Sequence, residues 1–209
     1  GVAAHAMDYD LSYMSAQSVS PVIPAILPVA ETVGASPAES IAAFIIGCEV
    51  ASRIVRASPM LESVGGWHPN GVVGTIAAAA ACARLLKTPV AAIPDVIGIS
   101  ASMASGLTVN FGTMTKPLHT GHAARNGIVA ALLGTHGLTA NASSLDGRSG
   151  YFSNFAKGLE LSFDPFNDLG NLYALGQRKY KLKLYPCGGL SHASIDSALA
   201  LRNKLDNRL

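Results

Sequence analysis

The sequence predicts a mainly α fold, a large helical part followed by the start of a smaller α+β unit. Three observations carry this reading. Segments opened by proline and spaced with apolar residues at helical intervals follow one another from Ser36 to Gly137. Those segments are rich in alanine, whose small side chain lets helices approach closely. After Gly150 the pattern breaks: an irregular stretch with several aromatics runs to Gly176, then Lys and Leu alternate up to Tyr185 and a last helical run follows.

The elements follow in order. Ser36-Pro37-Ala38-Glu39 is a capping box with proline at the first helical position, ahead of Ile41, Phe44, Ile45 and Cys48. It predicts a helix from Pro37 to about Ala57, stopped before Pro59. Pro69 opens a second helix ending near Lys87. Thr88-Pro89 opens a third to about Ser105, kinked at Pro94. Pro117 opens a fourth, ended by Gly137 as C-cap, and a short helix follows Thr139. Tyr180 to Tyr185 reads as a half-buried strand. Pro186-Cys187-Gly188-Gly189 breaks it, and Ser191 caps a final helix toward Leu205.

Composition narrows the function classes. Of 209 residues, 49% are hydrophobic and 13% charged, which excludes a disordered chain and points to surface covered by another copy or further chain. The net charge is +2, with no Lys/Arg block and 6% aromatics, so nucleic-acid binding finds no basic stripe or stacking platform. Cys48, Cys82 and Cys187 are far apart and form no CxxC, which fits a reducing cytoplasm and neither a disulfide scaffold nor a zinc site. The longest apolar stretch, Val72 to Leu86, is Ala-rich and shorter than the roughly 20 residues of a membrane span, so it reads as a buried helix. Gly1 to Asp10 has no basic start and no apolar run, so no signal peptide is expected, and the chain is expected to begin inside a longer sequence.

Chemistry concentrates at the starts of helices. His68 directly precedes Pro69, Lys116 directly precedes Pro117, and Gly188-Gly189 leads into the last helix with Lys183 upstream and His192 in its first turn. A helix N-terminus is already positive, so a cation there is unfavourable until an anion arrives, and free N–H groups beside a cation form a carboxylate or phosphate site. Asp8 and Asp10 fall on opposite sides of an extended segment, which gives one the role of general base and the other that of cap or scaffold, or makes both loop caps. His119 and His122 share a helix face at i, i+3; no carboxylate follows at helical spacing, so a structural role is expected rather than a metal site. No GxGxxG, GxxxxGK[ST] or GxSxG pattern is present.

Four segments together resemble the MmgE/PrpD family. They are His5-Ala6-Met7-Asp8-Tyr9-Asp10; Gly66-Trp67-His68-Pro69-Asn70-Gly71-Val72-Val73-Gly74-Thr75; Thr115-Lys116-Pro117-Leu118-His119-Thr120-Gly121-His122-Ala123-Ala124-Arg125-Asn126-Gly127; and Lys183-Leu184-Tyr185-Pro186-Cys187. The resemblance covers essentially the whole chain. It implies a large all-α helical domain, residues 1–178, followed by the start of a smaller α+β lid, residues 179–209, with the first helices and most of the lid missing. It further implies a homodimer, a small di- or tricarboxylic acid as substrate and no required cofactor or metal.

Carried over residue by residue, the resemblance implies that Asp8, His68, Lys116 and Lys183 are catalytic and share one pocket. Ser12, Gln17, Gly188 and His192 are the implied substrate-binding positions. Ser12 stands where decarboxylase-like members carry Thr. Gln17 stands where many members carry His, and Gly188 where decarboxylases carry His. The shared chemistry would form or quench a carbanion beside a carboxylate, with the lysines holding charge and His68 or Asp8 moving the proton. Because of Gln17 and Gly188, a 2-methylcitrate dehydratase-like lyase is expected ahead of a cis-aconitate decarboxylase-like or iminodisuccinate epimerase-like enzyme. The alternative of another class is a truncated, non-catalytic homologue that keeps a dimerisation or binding role.

Overall fold

The computed structural model describes residues 1–177 and 180–206. Its elements run α1 (Val2–Ala6), β1 (Leu11–Tyr13), β2 (Ala16–Gln17), α2 (Val19–Val33), α3 (Pro37–Ala57), α4 (Pro69–Leu85), α5 (Ile93–Ser102), α6 (Thr115–Thr135), α7 (Tyr151–Phe155), β3 (Lys181–Leu182) and α8 (His192–Asp206). The fold is mainly α, with one small antiparallel sheet of order β2-β1-β3.

Helix α4 is the axis. Nearly every residue from Pro69 to Leu85 is buried, because α2, α3, α5 and α6 pack around it. Small residues make this possible. A Cβ on Gly127 of α6 would stand 2.5 Å from Cβ of Ala78 on α4, so only glycine lets the two axes come this close. Val72, Val73 and Ile76 of α4, Val22 and Ile26 of α2, and Ile54 and Val55 of α3 form the surrounding apolar core.

Local signals explain several boundaries. Ser36 caps α3: its hydroxyl accepts from the Glu39 N–H at 3.2 Å, and the Glu39 carboxylate accepts from the Ser36 N–H at 2.8 Å. Pro94 lies in the first turn of α5 after a 3-10 turn at Val90–Ala92, so it opens that helix and does not kink a longer one. α6 begins at Thr115, which puts Pro117 in its first turn, and it ends at Thr135 with Gly137 at φ +94° beyond it. No helix forms directly after Thr139; the next is α7, inside the stretch expected to be irregular. The strand expected over Tyr180–Tyr185 shortens to Lys181–Leu182, and a 3-10 turn at Gly189–Ser191 precedes α8.

Helix α2 has no counterpart in the sequence reading. Pro24 and Pro28 lie inside it, each removing an N–H from the helical ladder. Burial of Val22, Ala25, Ile26 and Val29 against α3 and α4 outweighs that loss. The Asp10 carboxylate also accepts from the N–H groups of Val19 and Ser20 at 3.1 and 3.3 Å, and so fixes the helix start.

The segment after α7 is tied to α3 by one buried cation. Arg53 is 1% exposed and donates to Glu49 at 2.6 Å, to Asp168, and to the carbonyls of Pro165 and Leu172; Glu49 in turn accepts from the Ala174 N–H at 2.7 Å. Among the described residues, no helix is long and apolar enough to cross a membrane. The domain boundary expected between residues 178 and 179 lies outside the described residues.

Candidate active site

The small sheet brings distant parts of the chain to one place. Antiparallel pairing sets Ser12 opposite Gln17 on one side and opposite Lys181 on the other, so the Lys183 segment lies beside the Asp8 loop. The starts of α4 and α6 supply His68 and Lys116. Between them is a cavity of about 660 Å³ lined by Asp8, Ser12, Gln17, His68, Lys116, Lys183 and Gly188, together with Glu62, Asn70, Phe111 and Lys181.

Asp8 is at the centre. It sits between α1 and β1 with φ +54°, a left-handed conformation that aspartate tolerates better than most residues. Lys183 Nζ donates to Oδ2 at 2.8 Å, Gln17 Nε2 donates to Oδ1 at 3.2 Å, and Lys116 Nζ lies 3.9 Å away. Burial alone would raise the Asp8 pKa. The Lys183 hydrogen bond and the charges of both lysines outweigh it and hold the carboxyl below its ordinary value. Asp8 is therefore a firmly ionised carboxylate and a weak base. Asp10 has the other role open to the pair, capping α2, and burial pushes its pKa up.

His68 is the N-cap residue of α4, held extended by the proline that follows, and its ring is 4% exposed. Desolvation, then the charges of His5, His119 and Lys116, push its pKa down to about 3, so it is a neutral imidazole at pH 7. Its Nδ1 is hydrogen-bonded to Nδ1 of His119 at 3.1 Å. That leaves Nε2 for the cavity.

Gln17 is locked in place. Its side-chain oxygen accepts from Asn70 Nδ2 at 2.9 Å, and its backbone N–H donates to Asn70 Oδ1 at 3.0 Å. Gly188 borders the cavity, and a Cβ there would meet nothing within 4 Å. His192 does not line the cavity; its ring stands edge-on to Tyr185 with centroids 5.2 Å apart. Among the described residues, no group of three or more His, Cys, Asp or Glu is placed to hold a metal ion.

The sequence reading gave His119 a structural role without placing it at the site, and passed over several other neighbours. His119 touches His68, Asn70 holds Gln17, Phe111 lies under Lys116 Nζ at 5.4 Å, and Glu62 borders the cavity with a pKa raised by burial. His5 is 3% exposed and neutral, its pKa lowered to about 4 chiefly by burial and then by Lys116, and its ring lies 5.5 Å from that of His68. The available signal for His119 was its place one turn after Lys116 on the same helix.

Chemically, the cavity offers cations for carboxylates, the ionised Asp8 that orders those cations, and two groups able to hold or release a proton, the neutral His68 and Glu62.

The sequence profile described as the MmgE/PrpD N-terminal domain matches residues 1–164. Human cis-aconitate decarboxylase is 32% identical over 98% of this chain and 44% of its own length. The mouse cis-aconitate decarboxylase is likewise 32% identical, over 98% of this chain and 43% of its own length. A cis-aconitate decarboxylase of Aspergillus terreus is 31% identical over 90% of this chain and 40% of its own length. The chain thus spans about two fifths of the length of these curated relatives. With a matched domain that takes in the Asp8, His68 and Lys116 segments, the chain belongs to the MmgE/PrpD family.

Proposed function

We propose that this chain supplies the helical side of a lyase site that decarboxylates a small tricarboxylate of the cis-aconitate type. The observation that carries the reading is the convergence of Lys116 and Lys183 on Asp8 beside His68, a neutral imidazole on the cavity wall. Asp8 is ionised and bound to Lys183, and Gln17 is an amide, which leaves His68 and Glu62, whose pKa burial raises, as the acid/base groups on the wall. Decarboxylation needs one proton: the carbon–carbon bond to the departing carboxylate breaks, the electron pair spreads toward a retained carboxylate, and a proton quenches it. Dehydration needs a base for the C–H bond and an acid for the departing hydroxyl, and epimerisation needs two opposed groups. The names of the relatives favour decarboxylation among the three.

Lys116 and Lys183 would pair with the retained carboxylates and stabilise the enolate-like charge, while Asp8 keeps the two ammonium groups converged when no ligand is bound. The dehydratase reading stands second. Gly188 leaves an open wall in the cavity where decarboxylases of the family are expected to carry an imidazole.

The test is release of carbon dioxide from cis-aconitate by the natively expressed protein, in parallel with loss of water from citrate-like hydroxy acids. Release of carbon dioxide supports the reading, and loss of water alone replaces it with the dehydratase. Binding of both acids with no turnover points to the non-catalytic homologue.

We also propose that two copies pair. An apolar groove lined by Ile26, Leu27, Ala30, Ile41 and Phe44 of α2 and α3 supports this, with Leu27 and Ile41 more than half exposed.

A further inference from the structure

His119 is bonded to His68, the imidazole that lines the cavity, and it sits on a different helix from that imidazole. We propose that His119 is a positioning residue whose Nδ1–H donates a hydrogen bond to Nδ1 of His68, thereby keeping the single proton of His68 on Nε2 toward the cavity, and that it passes a proton to His68 as that one is used. This inference rests on the reading of His68 as the acid of a decarboxylation.

The geometry is specific. The two Nδ1 atoms lie 3.1 Å apart, and in a pair of neutral rings only one of them carries a proton. The tautomers are therefore locked to each other. If His119 donates, His68 is protonated at Nε2 and faces the cavity as a donor; if His68 donates, its Nε2 is a bare acceptor and cannot quench a carbanion.

The backbone enforces the contact. The His68 N–H donates to the Gly106 carbonyl at 3.0 Å, and the His119 ring lies over the same residue. Gly106 has φ +141°, and a Cβ there would stand 3.2 Å from Cγ of His119. One glycine thus sets the N-cap residue and the ring bonded to it. Around the pair stand His5 from α1, Asp8 from the loop after it, Lys116 from the first turn of α6 and His122 one turn along α6.

The proton balance explains why a neutral ring needs such a partner. His68 is too deeply buried to store a second proton as a cation, so giving up its Nε2 proton alone would leave an anionic ring. With His119 attached, a solvent proton enters that half-buried ring at Nε2, its Nδ1 proton passes to Nδ1 of His68, and the Nε2 proton of His68 forms the new C–H bond. Both rings end neutral with the bridge reversed, and once product leaves, Nε2 of His68 takes a proton from water entering the cavity, its Nδ1 proton returns to His119, and Nε2 of His119 gives a proton back to solvent.

Two measurements test this. Long-range 1H–15N NMR on the 209-residue protein with labelled histidines should show His68 protonated at Nε2 and bare at Nδ1, and His119→Phe should mix the two tautomers. A wild-type His68 protonated at Nδ1 overturns the inference whatever reaction the protein performs. In the natively expressed protein, carbon dioxide release in mixtures of H2O and D2O should give a bowl-shaped proton inventory, for two protons in flight. His119→Asn keeps an N–H donor at the Nδ1 position but cannot pass a proton on. It should keep the His68 tautomer, leave KM within about twofold, lower kcat by about tenfold or more and give a linear inventory. An unchanged kcat and inventory in that variant overturns the relay. Absence of any carbon dioxide release removes the decarboxylase reading, while the NMR result still decides the bridge.

Discussion

Lys183 holds Asp8 through a 2.8 Å ion pair on a side chain that is 9% exposed, so removing its charge leaves a carboxylate with one cation fewer in a partly desolvated place. Lys183→Met should raise the Asp8 pKa and weaken citrate or cis-aconitate binding by about tenfold or more, read by titration calorimetry. Acid tests the imidazoles. An unfolded histidine titrates near 6.5, whereas His5 and His68 in the fold do so at about 4 and about 3. Between these values the unfolded chain binds protons that the folded one does not, so stability falls as pH drops from about 6.5 toward 4. Asp8, with its lowered pKa, keeps its contribution above the ordinary carboxylate value and loses it only as pH falls through the folded pKa. Urea midpoints measured across this range should decline, and the decline should flatten in His68→Asn. At this scale much of the site was legible in the sequence. Pre-proline Lys116 stands out because a cation at a helix start calls for an anion, and His68 stands out by the same position although burial leaves it neutral and not the cation expected. The Nδ1 bridge to His119 was not legible, because it depends on how α4 and α6 pack and not on any spacing within either.

Where α6 meets α4, the contact depends on Gly127, whose missing Cβ makes room for Ala78. Gly127→Val should cost about 1–3 kcal/mol from overpacking, and more if the start of α6, with Lys116, is displaced. The expected observation is a lower urea midpoint together with loss of citrate binding; an unchanged midpoint would show that the helices separate without strain. Helix α3 was readable from its capping box alone, since both reciprocal hydrogen bonds follow from Ser36 and Glu39. Helix α2 was hidden because its two prolines argue locally against a helix, and the compensating burial comes from α3 and α4. Its N-terminal anchor, Asp10, also divides the paired aspartates into cap and site residue. Asp10→Ala should lower stability by about 1–2 kcal/mol while leaving the Asp8–Lys183 pair intact.

Across the whole molecule, the Arg53 cluster fastens the stretch from Pro165 to Ala174 onto α3, and this stretch leads toward the Lys183 side of the cavity. Arg53→Met should destabilise by about 3–5 kcal/mol, because Glu49 is left buried without its cation. The proposed pairing of two copies predicts a dimer by light scattering at micromolar concentration, and a clean monomer would contradict it. A cavity bounded by the starts of α4 and α6 and by a short sheet leads to a single chemical claim: lysines that hold carboxylates beside the neutral His68. The most direct measurement is release of labelled carbon dioxide from carboxyl-labelled cis-aconitate by the natively expressed protein and by Lys116→Met. The account predicts release by the former and a loss of about a hundredfold or more in the variant. Equal release by both proteins, or none by either, would contradict it.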